Sequence, residues 1–211
     1  MPVIAVANPK GGVGKSTLAT QLAGWLARQG HAVMLGDLDR QQSSRQWLGL
    51  RPAAVPPIAG WEVQDGALVR PPKGCTHAVI DTPAGLHGKK LDALLKVADV
   101  VLVPLQPSLF DIQATHAFLS TLRDHPRSAR LALGLVGMRV KDHTIAQERL
   151  QEFVATLPAP MVATLRDTQN YVHLAAHGLT LRDVAPGRVE RDLAQWAPLQ
   201  HWLAAQGVSR L

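Results

Sequence analysis

Cysteine is all but missing from this chain of 211 residues: Cys75 stands alone. A single thiol closes no intrachain disulfide and assembles no multi-cysteine metal or iron–sulfur site. Nothing in the sequence around it arranges a histidine or carboxylate to activate it as a nucleophile. Long apolar runs are also lacking, and none approaches the roughly 20 residues needed to span a bilayer. No secretory or transit segment precedes the first apolar run at Val3, so the expected location is the cytoplasm. Repeats and low-complexity tracts are absent. So is any dense basic tract: the formal net charge is +6, but Lys and Arg are spread along the whole chain. Such dispersed charge supports at most a diffuse nucleic-acid footprint.

What is present is alternation. Short apolar strands are expected near 3–8, 32–36, 77–81, 100–105, 131–137 and 161–165. Helices are expected near 15–29, 41–49, 88–97, 110–124, 144–156, 168–177 and 189–205. Strands that are apolar almost throughout, separated by helices, predict an α/β fold with a mostly parallel twisted sheet and helices on both faces. The length suits one core, and a single domain over 1–211 is expected. Between Arg51 and Gly74, five prolines (52, 56, 57, 71 and 72) exclude regular helix. That stretch reads as an insertion holding a small hairpin, Trp61 to Val63 with Leu68 to Arg70.

The chemistry concentrates in Lys10-Gly11-Gly12-Val13-Gly14-Lys15-Ser16-Thr17, between the first strand and the first helix. Backbone N–H groups of such a turn, with the partial positive charge of the helix N-terminus, hold phosphates. Lys15 is placed to reach the β- and γ-oxygens, and the Ser16 hydroxyl to ligate Mg²⁺. The pattern departs from G-x-x-x-x-G-K-[ST] in having Pro9 where the first glycine belongs and a second lysine, Lys10, beside it. Two further runs end apolar strands on carboxylates: Asp37-Leu38-Asp39-Arg40-Gln41, and Asp81-Thr82-Pro83-Ala84-Gly85. The C-terminal ends of parallel strands face the ligand crevice of an open α/β sheet.

These three runs, in this order, resemble the deviant Walker A box and switch segments of the ParA/MinD ATPases, most of all the short ParA-type partition ATPases. The resemblance implies that Lys10 acts in trans across an ATP-dependent homodimer while Lys15 acts in cis. It implies Asp39 as the residue that orients the attacking water, and Asp37 and Asp81, with Ser16, as supports for Mg²⁺. The family's usual Pro after the second Asp is Arg40 here. Met138 stands where many relatives carry the Asn that reads adenine, and Arg166-Asp167 resembles the late nucleotide-side loop. The resemblance also implies DNA contacts by scattered basic residues; Arg139, Lys141, Arg166, Arg188 and Arg191 are the candidates.

The function so implied is a slow, Mg²⁺-dependent, partner-stimulated ATPase. It would dimerise on ATP and bind double-stranded DNA without sequence preference, with a ParB-like or other adaptor, to partition plasmid or chromosome on the nucleoid. A ParA-like ATPase positioning a protein assembly is the alternative, with a MinD-like membrane regulator and a metabolic ligase behind it. Apolar residues in the tail (Leu193, Trp196, Leu199, Trp202, Leu203) predict a core-packing closing helix, since the lysines and arginines of a lipid-binding face are lacking there. No membrane partner is expected. His173 and His177, four apart, read as a structural or solvated pair for want of a further ligand.

Overall fold

The structure is a computed structural model, and it describes residues 1–64, 67–68, 73–141, 144 and 152–208. Seven strands form one sheet: β1 (Val3–Val6), β2 (Val33–Asp37), β3 (Ile58–Trp61), β6 (His77–Asp81), β7 (Val100–Leu105), β8 (Ala132–Val140) and β9 (Met161–Arg166). Their order is β3-β2-β6-β1-β7-β8-β9, with every neighbouring pair parallel. A separate antiparallel hairpin joins β4 (Val63–Gln64) to β5 (Ala67–Leu68). The chain winds first to one side of β1 and then to the other, which makes the end of β1 a topological switch point.

Six strands lie where apolar runs predict them. The seventh, β3, falls inside the Pro-rich stretch and pairs with β2 from Val33↔Ile58 to Gly36↔Trp61, so part of that stretch belongs to the main sheet. The hairpin strands are offset by one or two residues from those expected. Most of the helix expected over 144–156 lies outside the described residues.

Five of the seven strands of the sheet, β1, β2, β6, β7 and β8, are wholly or largely buried, and helices cover both faces. On one face, α1 (Lys15–Arg28) packs Leu18, Leu22, Trp25 and Leu26 against Ile4, Val79 and Leu102. Burying each such side chain contributes about 1.5–3 kcal/mol. Gly24 of α1 lets the late loop approach: a Cβ there would lie 2.3 Å from Thr180 Cγ2. On the other face, α3 (Gly88–Val97) and α4 (Leu109–Asp124) cover Ala5, Ile80 and Val103 with Leu91, Leu95, Leu119 and Leu122.

Three more helices among the described residues are α2 (Ser43–Leu50), α5 (Gln169–Ala175) and α6 (Glu190–Ala205). The last closes the core through Trp196, Leu199 and Leu203, as its apolar spacing predicts. It runs through Pro198 because that residue is exposed, where water can take the carbonyl that loses its donor. No helix among the described residues is long and apolar enough to cross a membrane.

Candidate functional site

Parallel strands bring their C-terminal ends to one edge of the sheet, and there the three sequence runs meet. The loop after β1 is set by Asn8, which is buried at the strand's end. Its side-chain amide donates to Pro104 O at 2.8 Å and to Thr115 Oγ1 at 3.1 Å, while its Oδ1 accepts from Lys10 N at 2.8 Å. Across the loop, Gln106 Nε2 donates to Gly12 O at 3.0 Å. Gly12 and Gly14 adopt φ of 74° and 95°, a left-handed backbone that costs a side-chain-bearing residue about 1–2 kcal/mol. Gly14 is also pressed from below: a Cβ there would lie 2.8 Å from Met138 Cε.

Helix α1 starts at Lys15 with no side chain capping its first turn and no acidic residue in it. Its first amides are therefore left to whatever occupies the cleft. Lys15 is buried and donates through Nζ to Lys10 O at 2.6 Å. Burial pushes its ammonium below the usual range, opposed by the charges of Asp81 and Asp39.

Helix α2 is the contrast, because its N-terminal amides are already satisfied. Asp37, at the end of β2, accepts from Ser44 N at 2.8 Å and Arg45 N at 3.2 Å through Oδ2, and from Asp39 N at 2.9 Å through Oδ1. Burial raises its pKa while these three amides oppose the rise. Both oxygens of Asp37 thus fix the turn carrying Asp39, instead of standing open as the metal ligand expected from the resemblance. Asp39 is half-exposed and accepts from Gln41 N at 3.0 Å. Gln42, with φ of 53°, donates to the carbonyls of Asp37 and Asp39 and starts α2 two residues later than predicted.

Asp81 pairs with Asp37 in register across β6 and β2. Its Oδ2 accepts from Ser44 Oγ at 2.7 Å. Its Oδ1 is buried with no hydrogen-bond partner among the described residues. Burial pushes its pKa up to about 6, with the hydroxyls of Ser16 and Ser44 pulling it back. A buried, unsatisfied carboxylate oxygen beside a serine hydroxyl is the donor chemistry a hard divalent cation takes. The next turn closes on the glycine loop: Thr82 Oγ1 donates to Val6 O at 2.9 Å and Gly85 N to Pro9 O at 2.8 Å.

Together these elements enclose a cleft of about 970 Å³. Gly11, Gly12, Gly14, Lys15, Ser16, Thr17 and Asp39 line it, with Thr82 to Lys90, Arg40 and Arg139. Lys10 and Val13 lie beside it, Lys10 half-exposed and Val13 buried in the core. Met138 is buried beneath Gly14, in the core, and does not line the cleft.

Arg166 is held away from it as well, against the expectation of a nucleotide contact. Its Nε donates to Asp192 Oδ1 at 2.5 Å, and Asn170 Nδ2 holds the other oxygen of that buried carboxylate. Asp167 follows it, exposed, on the end of β9. Lys141, Arg188 and Arg191 are exposed, after β8, in the turn before α6 and in the first turn of α6. His173 and His177 are exposed, and His177 Nδ1 hydrogen-bonds the helix's own His173 O at 2.9 Å. Among the described residues no cluster of three His, Cys, Asp or Glu could hold a metal.

Sequence reasoning passed over Asn8, Ser44 and Gln106, the residues that brace the site. Asn8 alone carried a local signal, a polar residue ending an apolar strand.

A glycine loop leading from a central parallel strand into a helix, with a lysine in its mouth and carboxylates on the neighbouring strand ends, defines a P-loop nucleotide-binding protein. Residues 4–181 match the CobQ/CobB/MinD/ParA nucleotide binding domain, and the chain belongs to that family. Over 169 residues it is 31% identical to the chromosome-partitioning ATPase Soj of Thermus thermophilus, covering 65% of this chain and 68% of that protein. Over 112 residues it is 37% identical to the maintenance of carboxysome distribution protein A of Gloeobacter kilaueensis, 52% of this chain and about half (51%) of that relative. The fold matches that of a putative plasmid partition protein from Borrelia burgdorferi bound to AMPPNP. The TM-score is 0.71, at 16% identity over 95% of this chain and 98% of that one.

Proposed function

We propose that this chain is a Mg²⁺-dependent ATPase that dimerises on ATP and, as the dimer, binds double-stranded DNA without sequence preference to partition or position DNA. The observation that carries the reading is the convergence of Lys15, Ser16 and Asp39 on one cleft with open helix amides, with the buried carboxylate of Asp81 beneath it. Lys15 exchanges its bond to Lys10 O for the phosphate oxygens. Ser16 and Asp81 Oδ1 hold the metal ion, and Asp37, one strand over, keeps the Asp39 turn in place behind them. When bound, the magnesium ion supplies positive charge to the phosphate chain. Asp39 orients water in line with the γ-phosphate, and Lys10 reaches the partner's nucleotide. A single orienting carboxylate leaves much of the possible transition-state stabilisation unused, so turnover is slow until an adaptor adds to it.

A metal ligand must be ionised, and burial pushes the pKa of Asp81 up to about 6. The gain in mant-ADP affinity on adding Mg²⁺ is therefore expected to be constant above about pH 7. Below pH 6 it should fall, by up to about tenfold per unit. A Mg²⁺ effect unchanged down to pH 5 would remove Asp81 from the metal site.

Dispersed charge becomes a useful footprint only when two copies face the same duplex. Asp39→Ala protein held in ATP is expected to bind random-sequence duplex, while the ADP and nucleotide-free forms bind poorly. The logarithm of its affinity should fall with log salt by about 0.9 per phosphate contact. Lys10→Ala should bind ATP, stay monomeric in light scattering and bind DNA weakly. The similarity to a carboxysome distribution protein favours a second reading, in which the cargo is a protein assembly. Binding to neither DNA nor anionic liposomes would support a purely protein cargo surface, and liposome binding alone a membrane role.

A further inference from the structure

Along β8, side chains alternate between the two faces of the sheet: Val136 and Met138 join the core under α1, and Leu135 joins the core under α4. Continued alternation would send Arg139 into the α4 core and Val140 back toward α1. The structure does otherwise. Val140 is buried in the α4 core, the place due to Arg139, and Arg139 is exposed. Pairing with β9 breaks between Gly137 and Val140, and Arg139 takes φ of 52°. Arg139 is thus an inserted residue, a bulge that steps the strand by one position and extrudes a single side chain.

Only Arg139 and Gln42 among the described non-glycine residues have positive φ, and both stand at the cleft or on its switch turn. A left-handed backbone at a long-chain residue is strain, and strain held at a ligand site points to use. Arg139 lines the cleft with the glycine loop, next to Met138, which packs beneath Gly14. Its guanidinium has no hydrogen-bond or ion-pair partner among the described residues.

We infer that Arg139 is a nucleotide-binding residue in cis, its guanidinium engaging the phosphate chain of the nucleotide held by the glycine loop of the same chain. A planar fork of donors matches phosphate oxygens in a way a lone ammonium does not. This assignment rests on the proposed nucleotide site and gives Arg139 a task other than DNA contact.

The test titrates mant-ADP with Mg²⁺ into wild-type, Arg139→Gly, Arg139→Lys and Lys141→Gly proteins at several salt concentrations. Glycine removes the guanidinium while favouring the bulged backbone, so the nucleotide-free Arg139→Gly protein should melt no lower than wild type. It is expected to bind mant-ADP about tenfold more weakly, with a shallower salt dependence. Arg139→Lys should recover part of the loss and Lys141→Gly should bind as wild type does. Wild-type affinity in a folded Arg139→Gly protein overturns the inference, above all if its DNA binding is weakened instead. Wild-type protein without affinity for mant-ADP overturns the proposed function together with it.

Discussion

Asp39→Ala is expected to bind ATP as tightly as the wild type and to hydrolyse it at least a hundredfold more slowly, the usual scale for losing a group that handles the reacting water. The binding half follows from the loop: Lys15, Ser16 and the amides of α1 are untouched by the change. The catalytic half follows from the turn. Asp37 clamps Asp39 N at 2.9 Å, and Gln42 holds the Asp39 carbonyl at 2.7 Å, so the backbone is fixed while the half-exposed carboxylate faces the cleft. Its hydrogen bond from Gln41 N can be kept by Asn, which cannot act as a carboxylate. Asp39→Asn should therefore be as inactive as Asp39→Ala in phosphate release, with mant-ATP affinity unchanged. Full turnover by either variant sinks the assignment.

The largest stability effect is expected at Arg51, far from the phosphates. Its side chain is 5% exposed and bonds Asp183, 0% exposed, through both terminal nitrogens at 2.9 and 3.3 Å. It also donates to Pro56 O and Gly178 O, and its guanidinium lies 5.3 Å from the Trp47 ring centroid. Asp183 in turn accepts from Thr180 N and Oγ1 and so fixes the loop that packs on Gly24. Removing the arginine leaves a buried carboxylate without its counter-charge, which costs about 3–5 kcal/mol. Arg51→Ala should lower the urea midpoint by that equivalent, with Arg51→Lys intermediate because it keeps charge but loses the fork. A loss below about 1 kcal/mol would mean that the pair is exposed to water in solution.

The two halves of the molecule were not equally legible in the sequence. Apolar runs marked six strands with ends within a few residues, because a buried parallel strand must be apolar on both faces. Ile58–Trp61 escaped: it is a short edge strand among prolines, and edge strands carry no such requirement. Lys15, Ser16, Asp39 and Asp81 were legible because a phosphate loop and strand-end carboxylates are local patterns. Asp37 was legible as a site residue but not in its task, which depends on amides seven and eight positions on. Arg166 looked like an exposed cation. Its partner Asp192 lies on α6, and no local spacing announces that contact. Arg139 was visible as a basic residue, but a one-residue step in β8 can be read only from which core each neighbour enters.

The edge strand that escaped notice also decides what the sheet cannot do. β3 is four residues long and is entered through Pro56 and Pro57, which carry no amide hydrogen. Only alternate residues of a strand turn their amides outward, so a foreign chain laid along β3 meets a ladder too short to grip. The prolines that exclude helix there thus guard this flank against strand exchange and fibrous growth.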